Sequence, residues 1–433
     1  MTVSEGIQNV KIAICGLIKS QNLGEEFIAK SLAWIIKEVA KEKGYHGTLD
    51  FVYVDIQATN DITGEYGNIV QSRVHNLYSY KYYGIPADML HLKLKKIALK
   101  SKSQRFKNNV FKLRHNIWRH SRNLGKRYLK YYNEKFNGVD LIAIDGAGLL
   151  EYSYNAYQES LNLITLYGEK HGIPVIFNAI GRAGEFDKSD YRCQVLMESF
   201  QRNCVKYVSA RDSRESVQEC VGEKFDVKLL ADAAFCVDEA YGMSANPRSN
   251  VIGIGLIRGD ASLSYSKGFV QEDWINLFCE IAKELASRGY EYEFFTNGAK
   301  EDYQIGLQVV TRLGVGKGKL VDRPTEGKAL LNTISSYTGI ITCRMHSSIA
   351  AFALGIPSVI LSWNSKVDKY MSIVGYPHRS VGQKDFNSTT IVEKLEQALT
   401  EGISDENRDR MKNLARESVN EYIDLIIQDG SYD

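Results

Sequence analysis

The feature that most constrains the fold is a regular alternation of short apolar strands and amphipathic helices. Helical periodicity fills the intervals between the predicted strands, beginning with GEEFIAKSLAWIIKEVAKEKG (24–44). The predicted strands of the first half break into glycine or polar residues at their ends, and they lie at 10–16, 50–56, 139–148, 174–181 and 204–212. Strands that alternate with helices pair in parallel, and helices cover both faces of their sheet. The first half is therefore predicted to be a doubly wound α/β domain.

A second series of the same kind begins after a polar stretch. VDEAYGMSANPRS (237–249) lacks apolar periodicity and contains Gly242 and Pro247. Strand and helix then alternate again from NVIGIGLIRG to a terminal helix after 405. The sequence predicts an α/β protein with two Rossmann-like, doubly wound domains, at 1–245 and 246–433. Ligands of such folds bind beyond the carboxyl ends of the strands, here in a cleft between the domains.

The charged residues are unevenly distributed. The net charge is 54 − 52 = +2, but residues 93–135 hold 15 Lys and Arg against the single acid Glu134, so this segment carries +14 and the rest −12. Its apolar residues recur every three or four positions. This spacing predicts a pair of amphipathic helices with a basic face, inserted into the first domain at about 86–137.

Three kinds of partner fit this basic insertion. They are an anionic membrane surface, an acidic or phosphate-bearing acceptor, and nucleic acid. Nucleic acid is disfavoured because no nucleic-acid motif accompanies the charge. A basic face that contacts only water is the remaining alternative. The charge alone therefore assigns no function.

Cysteine usage and the absence of targeting signals favour a cytoplasmic protein. The seven cysteines are scattered without any CxxC pair, which is typical of a reducing compartment. The segment MTVSEGIQNVKIAICGL lacks the pattern of a signal peptide, and no run of about 18 apolar residues predicts a membrane-spanning helix. Cys343 and His346 have metal-ligand spacing, but no second pair completes four ligands, so we predict no structural zinc.

The stretch TCRMHSSIAAFALGIPSVILS (342–362) is the most informative candidate site. A buried strand is predicted to deliver Arg344 and His346 to the start of a helix of small residues. A helix N-terminus presents unpaired N–H groups, and together with a guanidinium and an imidazole it suits a carboxylate or phosphate. In the alternative interpretation, Arg344 pairs with a structural carboxylate and His346 only caps its helix.

Two further polar candidates follow predicted strands. In VSARDSRES (208–216), Arg211 precedes a polar helix start that Asp212 or Ser213 would cap. Asp232 lies at the end of another strand, in LLADAAF. An interaction between Arg211 and an aspartate that only stabilises the turn explains Arg211 equally well. A purely structural role is likewise the alternative for Asp232.

Two glycine-containing turns follow the first strand and the strand at 139–148. The loop 16–26 contains Asn22 and Gly24 ahead of a helix, and GAGLL (146–150) contains Gly146 and Gly148. Glycine lets a ligand approach the backbone closely. Both turns are therefore candidate binding elements, although acids at the start of the first helix also complement its dipole without any ligand.

Together these residues resemble the polysaccharide pyruvyl transferase family, whose members transfer the enolpyruvyl carbons of phosphoenolpyruvate to a sugar as a pyruvate ketal. Five motifs in order carry the resemblance, namely NLGEE (22–26), GAGLL (146–150), SARDSRES (209–216), LLADAAF (229–235) and CRMHSSIAAFALGIPSVILSWNSKV (343–367). The chain departs from the family pattern in four ways. Glu25 replaces Asp, Ala147 interrupts the glycine run of GAGLL, Ala233 replaces Pro, and the basic insertion is added.

The resemblance implies a GT-B-like architecture, with two Rossmann-like domains and a terminal helix that crosses back to the first. It implies phosphoenolpyruvate as the donor substrate and demands no metal or other cofactor. The acceptor would be a glycan, which such enzymes often receive on a lipid-diphosphate carrier at the inner face of the cell membrane. Residues 93–135 would then dock on that membrane surface.

The resemblance also implies roles for the candidate residues. His346 is expected to deliver a proton, because imidazole titrates near neutrality. Asp232, or a carboxylate in 22–26, is the candidate base that accepts a proton from the attacking hydroxyl. Arg211 and Arg344 are expected to bind the anionic donor. The other expected binding residues are Asn22, Gly24, Gly146, Gly148 and Lys366.

Two other functions remain open. A GT-B nucleotide-sugar glycosyltransferase would share the architecture and use Arg344 and Lys366 on a diphosphate. A non-catalytic relative would act as a binding or scaffold protein through its basic helices. Pyruvyl transfer is favoured because Arg-x-His at the helix start matches the family and because Arg211, Arg344 and His346 are all present.

Overall fold

The structure is a computed structural model of the chain, and it describes residues 9–58, 87–120, 125–152, 157–182, 184, 186–258, 269–362 and 365–427. The strands within these residues are β1 (Asn9–Gly16), β2 (Thr48–Asp55), β3 (Leu141–Ile144), β4 (Val175–Ile180), β5 (Val205–Ala210), β6 (Lys228–Leu229), β7 (Val251–Gly255), β8 (Glu291–Phe295), β9 (Gly339–Thr342), β10 (Ser358–Ser362) and β11 (Ser380–Gly382). The α-helices are α1 (Gly24–Glu42), α2 (Ala87–Lys100), α3 (Gln104–His120), α4 (Gly125–Lys135), α5 (Tyr157–His171), α6 (Tyr191–Gln201), α7 (Arg214–Val221), α8 (Val237–Tyr241), α9 (Gln271–Ser287), α10 (Lys300–Leu313), α11 (Gly327–Ser335), α12 (Met345–Ala353), α13 (Ser365–Ile373), α14 (Ser388–Glu401) and α15 (Asp405–Asn420).

The chain divides into two compact units, and neither unit is a single continuous segment. Unit 1 consists of Met1–Ser20, Ile36–Leu230 and Glu417–Asp433, and unit 2 consists of Gln21–Ile35 and Ala231–Arg416. The first half of α1 therefore belongs to unit 2, and the C-terminal segment belongs to unit 1. The polar stretch near 245, where the sequence suggests a domain boundary, lies within unit 2.

Unit 1 is built on a parallel sheet with the strand order β2-β1-β3-β4-β5-β6. Every residue of β3 (LIAI) and β4 (VIFNAI) is buried, as expected for strands that are covered on both faces. The order changes direction at β1, since β2 lies on one side of β1 and β3 to β6 on the other. In doubly wound folds this switch point is where ligands bind, beyond the carboxyl ends of the strands.

Unit 2 is built on a second parallel sheet, with the order β11-β10-β9-β7-β8. Its core lies between this sheet and the helices beside it. Trp274 of α9 is 1% exposed, and its ring stacks on Phe278 one turn later, with centroids 5.6 Å apart. The N-terminus of α9 is closed by Asp273, whose carboxylate accepts the backbone N–H of Val270 at 2.7 Å. Two parallel sheets flanked by helices confirm the predicted α/β class.

The basic insertion contains three helices within the described residues, where the sequence predicted a pair. α2 and α3 form a helical hairpin, and α4 follows them. Residues 104–135 carry the periodicity of one amphipathic stretch, and the described residues of this stretch belong to both α3 and α4. The insertion is anchored to unit 1 by hydrogen bonds of α4, in which Tyr132 Oη donates to Ile56 O at 2.6 Å and Tyr131 Oη accepts the N–H of Asp55 at 3.0 Å.

No α-helix among the described residues is long and apolar enough to cross a membrane. All seven cysteines are buried as free thiols.

Candidate functional site

His346 is the second residue of α12 and lies in unit 2, directly after the loop that ends β9. It is 6% exposed, because the apolar and small side chains of α12 pack into the unit. The sheet edge and the helix start therefore place an imidazole where parallel α/β folds bind ligands. This position agrees with the prediction that a buried strand delivers His346 to a helix N-terminus.

Gly24 packs directly against the His346 ring. A β-carbon added at Gly24 would overlap the imidazole and would lie 2.5 Å from its Nδ1 atom. Both residues belong to unit 2, because the segment Gln21–Ile35 is part of that unit. The sequence predicted Gly24 as a position of close approach to a ligand, but within the described residues its close neighbour is the side chain of His346. The role of Gly24 in ligand binding stays a prediction.

Asp232 lies on the other side of the imidazole. Its Oδ2 atom is 3.6 Å from His346 Nε2, and its Oδ1 atom accepts the backbone N–H of Ala234 at 2.9 Å. Asp232 thereby caps the short 3₁₀ helix Ala233–Cys236, and it is 1% exposed. A buried carboxylate at this distance attracts the positive charge that the imidazole carries when it is protonated. The structure therefore brings Asp232 and His346 together.

Arg344 is oriented by a carboxylate that the sequence interpretation did not single out. Its Nε and Nη2 atoms donate to Oδ2 of Asp302, at 3.2 and 2.5 Å. Asp302 is fully buried, and its Oδ1 atom accepts the backbone N–H of Arg258 at 3.0 Å. The guanidinium thus pairs with a carboxylate, as the alternative interpretation of Arg344 expected, while 19% of its side chain stays exposed. Both roles are compatible, because one carboxylate engages two of the five N–H groups of an arginine.

A chain of polar contacts joins α12 to the loop before α1, within unit 2. Ser347 Oγ donates to Oδ1 of Asn297, which is 1% exposed. Asn297 Nδ2 donates to Asn22 Oδ1 at 3.4 Å, and its carbonyl accepts the N–H of Leu23 at 2.9 Å. These contacts bring the predicted residue Asn22 into the same unit as His346.

The sequence interpretation missed Asp302, Asn297 and Ser347, although a signal was present. FFTNGAKED (294–302) is a buried strand that breaks into polar residues and a glycine, the same signal that identified the other candidates. For Asp302 alone the signal is weak, because an acid in the first turn of a helix is usually explained by the helix dipole.

The turn with Gly146 and Gly148 lies in unit 1, beyond the carboxyl end of β3. Between them, Ala147 has φ +70, in the left-handed region that glycine adopts freely. Its carbonyl accepts the N–H of Gly181, at the end of β4, at 2.8 Å. Ala147 therefore keeps the backbone conformation of the glycine that it replaces, and its carbonyl joins the turn to the end of β4.

Arg211 also lies in unit 1, directly after β5. Its backbone N–H donates to Ile180 O at 3.2 Å, so it sits beside the end of β4. The next residue, Asp212, approaches Gly181 so closely that a β-carbon there would lie 2.7 Å from its Oδ2 atom. Ser213 caps α7, because its Oγ accepts the N–H of Ser216 at 3.2 Å. Of the two predicted caps, Ser213 is the one observed.

Three further features are the predicted binding residue Lys366, metal ligands and the thiol beside Arg344. Lys366 belongs to α13, but its side chain lies outside the described residues. The described part of the chain shows no group of three or more His, Cys, Asp or Glu that could hold a metal ion. Burial raises the pKa of the Cys343 thiol well above its ordinary value, so this neighbour of Arg344 is a thiol and not a nucleophilic thiolate.

Two parallel α/β sheets with glycine turns and polar residues at their carboxyl ends define the GT-B fold class. The family model described as polysaccharide pyruvyl transferase matches residues 22–365. The chain belongs to the polysaccharide pyruvyl transferase family. The match begins at the motif that carries Asn22 and Gly24 and extends beyond His346.

Solved structures support the fold class. The UDP-GlcNAc 2-epimerase from Neisseria meningitidis bound to UDP-GlcNAc aligns with a TM-score of 0.50 and 11% identity, over 96% of this chain and 100% of that chain. The UDP-GlcNAc 2-epimerase from Methanocaldococcus jannaschii aligns with a TM-score of 0.50 and 10% identity, over 95% and 99%. At such identities the likeness shows the fold alone. No curated protein matches the sequence significantly.

Proposed function

We propose that this protein transfers the enolpyruvyl group of phosphoenolpyruvate to a sugar of a cell-surface or exopolysaccharide precursor, forming a pyruvate ketal. The observation that carries the proposal is the arrangement at the start of α12. There a buried imidazole has a carboxylate 3.6 Å from one nitrogen and a carboxylate-held arginine two residues earlier. Membership of the family supports transfer to a polysaccharide and gives the reaction its class.

The reaction needs one proton donor, one proton acceptor and fixed positive charge. A proton adds to the methylene carbon of phosphoenolpyruvate, and one sugar hydroxyl bonds to the neighbouring carbon. Phosphate then leaves from that carbon, and a second sugar hydroxyl completes the ketal. The two hydroxyls lose two protons in all, of which one replaces the proton given to the methylene carbon and one leaves with phosphate.

Each requirement has a candidate side chain. His346 would give the proton to the methylene carbon, since imidazole exchanges protons near neutral pH. Asp232 would stabilise the protonated ring and is the candidate acceptor for a hydroxyl proton. Arg344 and Arg211 would bind the carboxylate and phosphate of the donor, for which guanidinium is well suited. Further proposed binding residues are Asn22, Gly24, Gly146, Gly148 and Lys366.

The proposed donor is a substrate, and the proposal includes no metal and no cofactor. The acceptor would be a glycan, and a lipid-diphosphate carrier would present it at the cytoplasmic face of the membrane. This assignment makes the protein a cytoplasmic enzyme with peripheral membrane contact.

The first experiment is calorimetric titration with phosphoenolpyruvate and with a panel of nucleotide sugars. We expect saturable phosphoenolpyruvate binding to the wild type and a loss of about ten- to a hundredfold in affinity for Arg344→Ala, because a charge-assisted pair contributes about 1.5–3 kcal/mol. Arg312→Ala is the matched control, since Arg312 lies in the same unit and pairs with Glu272 at 2.6 Å. Binding of nucleotide sugars alone would favour a glycosyltransferase, and binding of neither would favour a scaffold protein.

Asp302→Asn tests whether the ion pair positions Arg344 for the donor. The amide keeps an acceptor for the N–H of Arg258 but removes the charge that fixes the guanidinium. We expect the KM for phosphoenolpyruvate to rise about tenfold with a smaller change in kcat, because orientation of a binding group is lost. Steady-state kinetics with saturating acceptor measure both constants.

The control for this variant is Asp226→Asn, which breaks the pair with Arg214 in unit 1. Asp226 is 82% exposed, and such surface pairs contribute little. An unchanged KM in Asp302→Asn, with only reduced thermal stability, would assign the pair of Asp302 and Arg344 a purely structural role.

A further inference from the structure

Exposed apolar side chains are concentrated on the basic insertion. In the described part of the chain, large hydrophobic residues that are at least 37% exposed occur at ten positions, and six of these lie on α2, α3 and α4. They are Leu90, Ile97, Leu99, Phe106, Leu113 and Leu129. Scattered exposed leucines need no explanation, but a local concentration of this kind marks an interaction surface.

The spacing of four of these residues places them on the outward faces of α2 and α3. Leu90 and Ile97 are seven positions apart on α2, and Phe106 and Leu113 are seven apart on α3, so each pair lies on one side of its helix. The opposite side of α3 is buried, including Phe111 and Trp118 at 2% and 6% exposure. The outward side is therefore the one that unit 1 leaves uncovered.

Lysines flank the exposed apolar residues. On α2, Lys93, Lys96 and Lys100 are exposed, and their spacing of three and four places them beside Leu90 and Ile97. The helix α3 contains no acidic residue, and the whole segment 93–135 carries +14. α2 and α4 each contain one acid, Asp88 and Glu134, so cations are in large excess around the apolar side chains. Such a face complements a surface that is anionic outside and apolar beneath.

Hydrogen bonds and buried side chains attach the inner side of the insertion to the rest of unit 1. His115 Nδ1 lies 2.6 Å from Glu159 Oε2 on α5, and both residues are buried. Arg114 lies in the same buried cluster, where burial lowers its pKa to about 10 despite the neighbouring Glu159. Asn108 Nδ2 donates to Ser189 O at 2.6 Å. Polar side chains of α3 therefore attach the inner face to unit 1 and leave the outer face for a partner.

We propose that α2, α3 and α4 dock unit 1 on an anionic phospholipid bilayer, with Ile97 and Phe106 entering the interface and the surrounding lysines contacting the headgroups. The inference rests on the membrane contact of the proposed function, but this surface shares no residue with those proposed for catalysis, so the two are tested separately. Docking by apolar side chains and a basic cluster together gives stable but reversible attachment.

The test is co-sedimentation of the full-length protein with vesicles of phosphatidylcholine alone or with about 30 mol% phosphatidylglycerol. We expect binding only to the anionic vesicles, with weaker binding at higher salt. Replacing Lys93, Lys96 and Lys100 by glutamate should weaken partitioning about a hundredfold or more, since each cation near the surface contributes about fivefold. The matched control is Lys41→Glu, Lys206→Glu and Lys283→Glu, three exposed lysines outside the insertion.

A second variant tests the apolar contribution without changing charge. Ile97→Ser with Phe106→Ser should also release the protein from anionic vesicles, and because both side chains are already about half exposed the fold should survive. Circular dichroism and thermal melting check that all variants are folded.

Three results would overturn the proposal. They are failure of the wild type to bind anionic vesicles, equal loss in the control variant, and binding unaffected by Ile97→Ser with Phe106→Ser. Tight binding of duplex DNA without vesicle binding would assign the face to nucleic acid instead. None of these outcomes depends on donor binding, so docking and pyruvyl transfer succeed or fail separately.

Discussion

Replacing His346 by glutamine is expected to lower kcat for pyruvyl transfer about 10² to 10⁴-fold, the usual contribution of a positioned general acid. Glutamine keeps hydrogen-bonding capacity and fits the same buried space, but it does not donate a proton to carbon. Because His346 is proposed to act on the methylene carbon and not to hold the anionic groups, affinity for phosphoenolpyruvate should change little. Single-turnover kinetics and calorimetry measure the two quantities separately.

His378→Gln is the matched control for this experiment. His378 lies in the same unit but is exposed, with Nε2 2.8 Å from Glu401 Oε2. Its replacement should leave kcat within a factor of about two, since surface substitutions usually change little. If His346→Gln lost donor affinity and kept kcat, the imidazole would be a binding group, and another residue would have to supply the proton.

Replacing Gly24 by alanine is expected to reduce activity about a hundredfold and to destabilise the protein by about 1–3 kcal/mol. The new methyl group would overlap the imidazole of His346, so either the ring or the start of α1 must move. A displacement of about 1 Å at a reacting group is enough for a loss of this size. Thermal melting and kcat/KM measure the two effects.

Gly382→Ala provides the control for added volume at a glycine. Gly382 ends β11 in unit 2, and a β-carbon there meets no atom within 4 Å. Both stability and kcat/KM should stay near the wild-type values. Normal activity in Gly24→Ala would show that the contact with His346 is not needed for the reaction.

The order of strands and helices could be predicted from the sequence because it depends on local patterns. Strand β4 was expected at 174–181 and lies at Val175–Ile180, and α1 was expected at 24–44 and lies at Gly24–Glu42. Apolar runs between glycine and polar breaks determine such segments without reference to distant residues. Helix α13 was not predicted, because polar residues interrupt its few apolar ones. Helix α14 was missed although STTIVEKLEQALTE has helical spacing, with Ile391, Leu395 and Ala398 buried on one face.

Contacts between distant segments could not be predicted in the same way. The first half of α1 reads as an ordinary amphipathic helix, and nothing in its own residues shows that Gln21–Ile35 packs with Ala231–Arg416. The pairing of Arg344 with Asp302 depends on β9 and α10 meeting in space. Strand ends and motifs identify the candidate residues in the sequence. The residues that they contact are known only from the folded structure.

The assignment of Gln21–Ile35 to unit 2 has a consequence for the evolution of the gene. The residues around His346 come from three separate stretches, since Gly24, Asp232 and Arg344 are widely spaced in the sequence. A gene fission or a domain exchange near codon 245 would keep Arg344 and His346 in one product but would leave the glycine and the carboxylate in the other. Neither fragment would inherit a complete set. We therefore expect the two coding halves to be inherited together and not to be shuffled separately.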